Sequence, residues 1–195
     1  MFGCGGHARS VADVYLTRFP SHSLIFVDGK ALPEEMILGF PVQSHPPEEM
    51  GSCFVAIGDN QKRQRMWDLL RANFQCVQIF APTAHISRFA EVNAHVFIAH
   101  FCHIGPQAKI GCNTIVNTGA IVEHETQIGD HCHVGPGAVV AGRCRIGDFV
   151  FLGAGSTVRD SICIGSRILV GAGATVVSDL LEPGVYVGCP AKRVR

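Results

Sequence analysis

From Ile86 to Val176, every sixth residue is aliphatic. The positions are Ile86, Val92, Ile98, Ile104, Ile110, Val116, Val122, Ile128, Val134, Val140, Ile146, Leu152, Val158, Ile164, Val170 and Val176, sixteen without a break. A period of six is neither the 3.6 of an amphipathic helix nor the two of a simple strand. It is the hexapeptide repeat of a parallel β-helix, with one short strand and one corner per repeat.

The flanking columns agree. Two places before each aliphatic residue the side chain is mostly small: Ala84, Ala90, Cys102, Ala108, Thr114, Ala120, Thr126, Cys132, Ala138, Cys144, Ser156 and Ala174. Such residues fit an interior beside a bulky neighbour. One place after, glycine recurs at 105, 111, 129, 135, 147, 153, 165 and 171. Glycine suits a corner, where the backbone turns and positive φ comes easily to it. Three repeats close one triangular coil, so the structural period is eighteen and about five coils follow. Cys102, Cys132 and Cys144 sit in the small-residue column and read as core filler.

Composition narrows the functional classes. The chain has 195 residues, 47% hydrophobic and 16% charged, with sixteen basic residues against sixteen acidic. No bulk field draws in nucleic acid or an anionic membrane, so an anionic ligand must be held by local groups. Nine cysteines, an odd number without a Cys-x-x-Cys pair, argue against a disulfide-stapled domain. There is no signal-peptide core or run of transmembrane length, which predicts a reduced, cytoplasmic protein.

Residues 1–80 have another texture. GCGGHARSVADVYL reads as a glycine turn entering a helix, SLIFVDG (23–29) and CFVAIGDN (53–60) as strands ending in turns, QKRQRMWDLLRANF (61–74) as a helix, and CVQIF (76–80) as a third strand. Met66, Trp67, Leu69 and Leu70 give the second helix its apolar side, and Asp59 or Asn60 can cap it. Alternating strands and helices predict a small Rossmann-like α/β domain over 1–80, followed by the β-helix over 81–195. Ligands of such sheets sit beyond the C-terminal strand ends. The loops there are Gly3–His7, Asp28–Gly29 and Gly58–Asn60, where phosphate can approach a helix N-terminus and an aspartate can accept from a ribose or base. Only Met1 and Phe2 precede the first glycine loop, so the expectation is either a truncated start or a nearly absent first strand, with a weakened pocket.

One stretch breaks the structural monotony. In NTGAIVEHETQIGD (117–130), Val122 is interior, so Glu123, His124 and Glu125 occupy a corner and its exit. A histidine takes a proton near neutral pH, and a neighbouring carboxylate fixes its tautomer and raises its basicity.

Together GGH, FVDG, AIGDN, NTGAIVEHETQIGDHCHVGPGAVVAG and the C-terminal VGCPAKRV resemble the bacterial nucleotide-sugar N-acetyltransferases and sialic-acid O-acetyltransferases. The resemblance covers essentially the whole chain and is most specific over 116–142. It implies a left-handed β-helix behind a Rossmann-like domain, acetyl-CoA as co-substrate, no metal, and a nucleotide-linked amino sugar as acceptor. It implies His124 as general base and Glu125 as its acidic partner. His133, Gly142, Ala154 and Ala172 fall where the cofactor lies, His133 at its acetyl end. Gly5, Gly6, His7, Asp28, Gly29 and Gly58 fall in the nucleotide-sugar pocket, and Asn117 beside the acceptor sugar. The short N-terminus and Gly29, where some members carry a second aspartate, depart from the pattern and bear on which nucleotide sugar is used.

His124 and His133 are nine residues apart, half a coil. At ~3.3 Å per residue a triangular side is on the order of 15 Å, so the two rings lie on different parts of the perimeter. They can share a site only between copies, which predicts a homotrimer. Lys192, Arg193 and Arg195 are candidates for CoA phosphates or a solvated tail. Two other classes stay open: a β-helix zinc enzyme like carbonic anhydrase, using His95, His100 and His103 with His85 or His124, and a scaffold without catalysis. Within the enzyme class the acceptor is an amine or, as in sialic-acid O-acetylation, a hydroxyl.

Overall fold

The structure is a computed structural model that describes residues 1–48 and 51–195. The front domain holds helices α1 (Gly6–Arg18) and α2 (Asn60–Leu70) and short strands β1 (Phe26–Val27), β2 (Met36–Ile37), β3 (Phe40–Gln43), β4 (Ser52–Cys53) and β5 (Gln75–Cys76). β1 pairs in parallel with β3, β2 pairs antiparallel with β3, and β4 pairs with β5. The expected deficit at the first strand is made good by two or three residues. Phe2 bridges both Val27 and Val55. Its N–H donates to the Phe54 carbonyl at 2.8 Å, its carbonyl accepts from Ala56 at 2.7 Å, and Gly3 N–H donates to Val27 at 2.9 Å. Met1–Gly3 therefore lies at the centre of the sheet.

Side chains alternate across that sheet with a period of two. Phe26, Phe54 and Ala56 face α1 and merge with the β-helix core. Phe2, Val27, Cys53 and Val55 face α2, against Trp67 and Leu70. Asp59 caps α2 by accepting from Lys62 N–H at 2.8 Å. The buried stripe of α2 is Arg63, Trp67 and Leu70; Leu69, expected on the apolar side, is exposed.

From Ile79 onward the chain winds as a triangular prism of two- or three-residue strands. The first face stacks Ile79–Phe80, Phe97–Ile98, Ile115–Val116, His133–Val134, Phe151–Leu152 and Ile168–Val170. The second carries His103–Ile104, Ile121–Val122 and Val139–Val140, and the third Lys109–Ile110, Gln127–Ile128 and Arg145–Ile146. From Ile79 to Val176 the coil-to-coil pairs are parallel with an eighteen-residue register, as in His103↔Ile121, and the closing strand Gly184–Val187 pairs at sixteen, Ile168↔Gly184. The segment 76–80, read as one strand, divides: Gln75–Cys76 pairs with β4, and Ile79–Phe80 pairs with Phe97–Ile98 as the first rung of the prism.

The aliphatic column is interior, with Ile104, Ile110, Val116, Val122, Val134 and Val140 fully buried. The small column is interior too. Its thiols donate to carbonyls fifteen residues on: Cys102 to Asn117, Cys132 to Gly147 and Cys144 to Arg159, at 3.0, 3.1 and 3.1 Å. Thr114 and Thr126 each donate to a carbonyl of the next coil and accept an N–H from it, whereas the Ser156 hydroxyl in the same column is buried without a partner among the described residues.

The glycine column has a different cause from the one expected. Glycine 105, 111 and 129 do not have positive φ; a Cβ at these positions would lie 2.4–2.7 Å from atoms of the next coil. They are bare because coils approach closely. The left-handed corner residue comes two places later and is often not glycine: Asn113, Glu125, His131 and Arg143 all have φ between 55° and 59°.

Candidate active site

Three corners run down the prism. The second, after the second face, stacks Pro106, His124, Gly142 and Asp160 at one level of each successive coil, with Gln107, Glu125, Arg143 and Ser161 beside them. The coils are tied by Arg143 N–H to the His124 carbonyl at 2.9 Å and Ser161 N–H to the Gly142 carbonyl at 2.9 Å. His124 Nδ1 lies 3.3 Å from Glu125 Oε2, and the two side chains are 41% and 49% exposed, so the imidazole is open to a ligand. Nδ1 is turned to the carboxylate, and Nε2 makes no hydrogen bond among the described residues.

His133 occupies a different environment. It points outward from the first face but is only 8% exposed, because the front domain covers it. Asn117 Oδ1 accepts from Thr118 N–H at 2.9 Å, which makes Nδ2 the end that donates to His133 Nε2 at 3.1 Å. The proton of His133 is thereby placed on Nδ1, which donates to the Gly58 carbonyl at 3.2 Å. Burial, with the nearby Arg63 charge, pulls the pKa of His133 down to about 4. His7 lies beside it at a ring separation of 6.0 Å, edge-on to Phe97, and is pulled down to about 3, again chiefly by burial.

The remaining expected residues divide between these regions. Gly5 and Gly6 are exposed at the start of α1, with open space where a Cβ would stand and no side-chain cap on the helix N-terminus. Asp28 and Gly29 form the neighbouring turn. Asp28 Oδ1 accepts from Lys30 N–H and Oδ2 from the Cys4 thiol, both at 3.0 Å, and these bonds hold its carboxyl below the usual carboxylate range. Ala154 and Ala172 are exposed one coil apart on the first corner. Gly142 is buried beneath the His124 ring on the second. A cleft of about 640 Å³ opens between Gly58–Gln61 and the outer side of the first face, lined by His133, Phe149, Phe151 and Arg167. One chain thus brings Gly58, His7, Asn117 and His133 together, and separately His124, Glu125 and Gly142.

Arg63 was missed in the sequence because it reads as one more cation on a polar helix. It is 1% exposed. Its guanidinium donates to the carbonyls of Ile57, Gly58, Asn113, His131 and Cys132 and to Asn60 Oδ1, at 2.9–3.1 Å. Burial lowers its pKa to about 10, which leaves it charged at neutral pH. It ties the Gly58 loop to the third corner of the prism. His95 does the same from the other side, stacked between Phe54 and Trp67, with Nε2 accepting from Val55 N–H at 3.1 Å.

The histidines considered for zinc are dispersed. His95 is buried in that junction, His100 bonds Thr83 Oγ1, and His103 stacks on His85. Among the described residues no three His, Cys, Asp or Glu side chains gather as a metal site. In the tail, the Arg193 guanidinium is engaged by Glu182 at 2.8 Å and by the Pro183 carbonyl. No helix among the described residues is long and apolar enough to cross a membrane.

Comparison with known proteins places this arrangement. Residues 1–70 match the family described as PglD N-terminal domain, and residues 107–142 the bacterial transferase hexapeptide family. The structure is similar to that of the perosamine N-acetyltransferase of Caulobacter crescentus, solved as a histidine-to-asparagine variant with CoA and GDP-perosamine. The two are 32% identical over 100% of this chain and 95% of that one, with a TM-score of 0.94. It is also similar to the acetyltransferase domain of PglB from Neisseria gonorrhoeae, solved with acetyl coenzyme A. That pair is 28% identical over 99% and 97% of the two chains, with a TM-score of 0.91. WeeI from Acinetobacter baumannii, at 24% identity over 99% and 97% and a TM-score of 0.91, shares the fold. The prism is of the left-handed type, and the chain belongs to the bacterial sugar acetyltransferases that join a PglD-type front domain to a hexapeptide-repeat β-helix.

Proposed function

We propose that this acyltransferase moves the acetyl group of acetyl-CoA to the amino group of a nucleotide-linked amino sugar, with His124 as general base. The observation that carries the mechanism is the half-exposed His124 ring, with Nδ1 facing Glu125 and Nε2 without a hydrogen-bond partner among the described residues. The C. crescentus relative, which was solved with CoA and GDP-perosamine, supports the substrate class. The sugar nitrogen attacks the thioester carbonyl; a C–N bond forms and the C–S bond breaks. His124 Nε2 takes the proton lost from nitrogen, Glu125 stabilises the resulting imidazolium, and the thiolate leaves with a proton from solvent or from the base. Backbone N–H groups near Gly142 are the candidates for holding the oxyanion.

The nucleotide is assigned to the loops Gly5–His7, Asp28–Gly29 and Gly58. There the uncapped α1 N-terminus offers N–H groups to phosphate and Asp28 keeps lone pairs for a ribose or base. Asn117 stands beside the acceptor sugar, and His133 with Ala154 and Ala172 along the cofactor. These patches occupy separate corners and faces of one chain. We therefore assign the complete site to the groove between copies of a homotrimer, with His124 of one chain facing the Gly58–His133 cluster of its neighbour. Half-buried Ile121 and Val139 on the outer side of the second face fit such a contact.

The test is release of free CoA thiol from acetyl-CoA in the presence of GDP-, UDP- and dTDP-linked amino sugars and of free sialic acid. Turnover with an amino sugar, and an amide in the product, is the expected result. Turnover with sialic acid alone moves the assignment to O-acetylation.

A further inference from the structure

Gly142 is a glycine without a backbone reason to be one. Its φ is outside the left-handed region; that conformation belongs to the next residue, Arg143, at 57°. The equivalent places on neighbouring coils of the same corner carry Pro106, His124 and Asp160, so the corner accepts a side chain. At most glycines of the prism an added Cβ would strike backbone of the next coil. At Gly142 it would meet the far end of one side chain: His124 Cε1 at 2.6 Å and Nε2 at 2.7 Å, with Asp160 Oδ2 next at 3.0 Å. The imidazole thus lies in the space that a Cβ would fill.

Asp160 closes the far side of that space. Its Oδ1 is held by Arg143 Nη2 at 2.7 Å and Ser161 Oγ at 2.6 Å, which fixes the carboxylate and leaves Oδ2 turned toward the ring. Those hydrogen bonds, Ser161 first, keep the Asp160 carboxyl below its ordinary range, so it is ionised when the ring must carry a proton.

We propose that Gly142 and Asp160 form the seat of the His124 ring: the missing Cβ lets the imidazole lie down on the next coil, and the pinned carboxylate stands beside the ring. Both are positioning residues that act through His124. The assignment rests on His124 being the base, and it adds a reason for the glycine that is independent of any contact with the cofactor. A misplacement of about 1 Å in a reacting group costs up to ~100-fold in rate. An alanine at 142 forces a shift of that order, while the flexible end of one surface side chain absorbs the strain, so the fold does not suffer.

The test is a double-mutant cycle with acetyl-CoA and the amino sugar turned over fastest in the panel above, together with crystal structures of the variants. Gly142→Ala is expected to lower kcat about 10–100-fold, to leave KM for acetyl-CoA within about two-fold, and to leave Tm unchanged or raised. Its crystal structure is expected to show the His124 ring moved off the corner. Asp160→Asn is expected to lower kcat in the same direction with KM held. In a His124→Ala background neither change costs anything further, because the ring they serve is gone. Undiminished turnover in His124→Ala alone overturns the base assignment. A low rate in His124→Ala with wild-type kcat in Gly142→Ala, or with the ring unmoved in its crystal structure, overturns the seat. So does a further loss from Gly142→Ala in the His124→Ala background, which assigns the glycine to the cofactor instead.

Discussion

His133 Nδ1 and the carbonyl of Gly58 lie 3.2 Å apart, though 75 residues separate them in the chain. That bond joins the Gly58 loop to the β-helix, and it has a direction. Thr118 N–H fixes the Asn117 amide, Asn117 donates to Nε2, and the proton left on Nδ1 goes to Gly58, whose oxygen also accepts from Arg63 at 3.1 Å. A second proton on His133 would confront the Asn117 donor, so the junction requires the neutral ring.

Stability should therefore depend on pH. His7, His95 and His133 have pKa values lowered to about 3, 4 and 4, mainly by burial. The unfolded chain protonates first as pH falls, near 6.5, and the folded chain lags. Stability is thus level above pH 6.5, declines between there and about pH 3, and levels again once the folded-state rings charge. At pH 5.5 the three together cost at most about 4 kcal/mol, which lowers Tm by on the order of 10 °C. Calorimetric scans from pH 7.5 to 5.0 measure this. His95→Gln, which still accepts from Val55 N–H, is expected to flatten the decline by about a third.

Arg63 predicts a different loss. Arg63→Met fills similar volume but strands several buried carbonyls at roughly 1 kcal/mol or more each. The expected destabilisation is at least about 3 kcal/mol, or roughly 6–12 °C in Tm. Because the stranded groups include Gly58 and Ile57, KM for the nucleotide sugar should rise as well. A Tm within 2 °C or so of wild type would mean that the guanidinium contributes little to the junction.

A site shared between copies predicts complementation. A His124→Ala chain keeps its nucleotide loops; a Gly6→Phe chain, whose new ring projects into the open space at the α1 N-terminus, keeps His124. Each is expected to be inactive alone. Unfolded and refolded together, they should recover up to about a quarter of wild-type activity, the share of interfaces that random mixing leaves intact. Light scattering should give a trimer for both. No recovery from correctly assembled mixtures would place the site within one chain.

The prism was legible in the sequence because its core repeats locally: Ile104, Val122 and Val140 report the same interior position every eighteen residues. The Glu123–Glu125 corner was legible because charge interrupts that repeat. What failed needed contacts the one-dimensional pattern does not carry. The glycine column was assigned to φ, but residues such as Gly111 are bare because Gly129 of the next coil stands against them. Leu69 reads as apolar and interior, and nothing in the sequence singles out Arg63, because side-chain type does not show the carbonyls of Asn113, His131 and Cys132 waiting across the junction. Met1–Gly3 was too short to read as a strand, yet Phe2 completes the sheet through both neighbours.

The most direct measurement is kcat for His124→Ala against wild type at saturating acetyl-CoA and amino sugar, with circular dichroism and light scattering to verify fold and assembly. The account predicts a fall of about 10²–10⁴-fold with both unchanged. Turnover within a few-fold of wild type would contradict it.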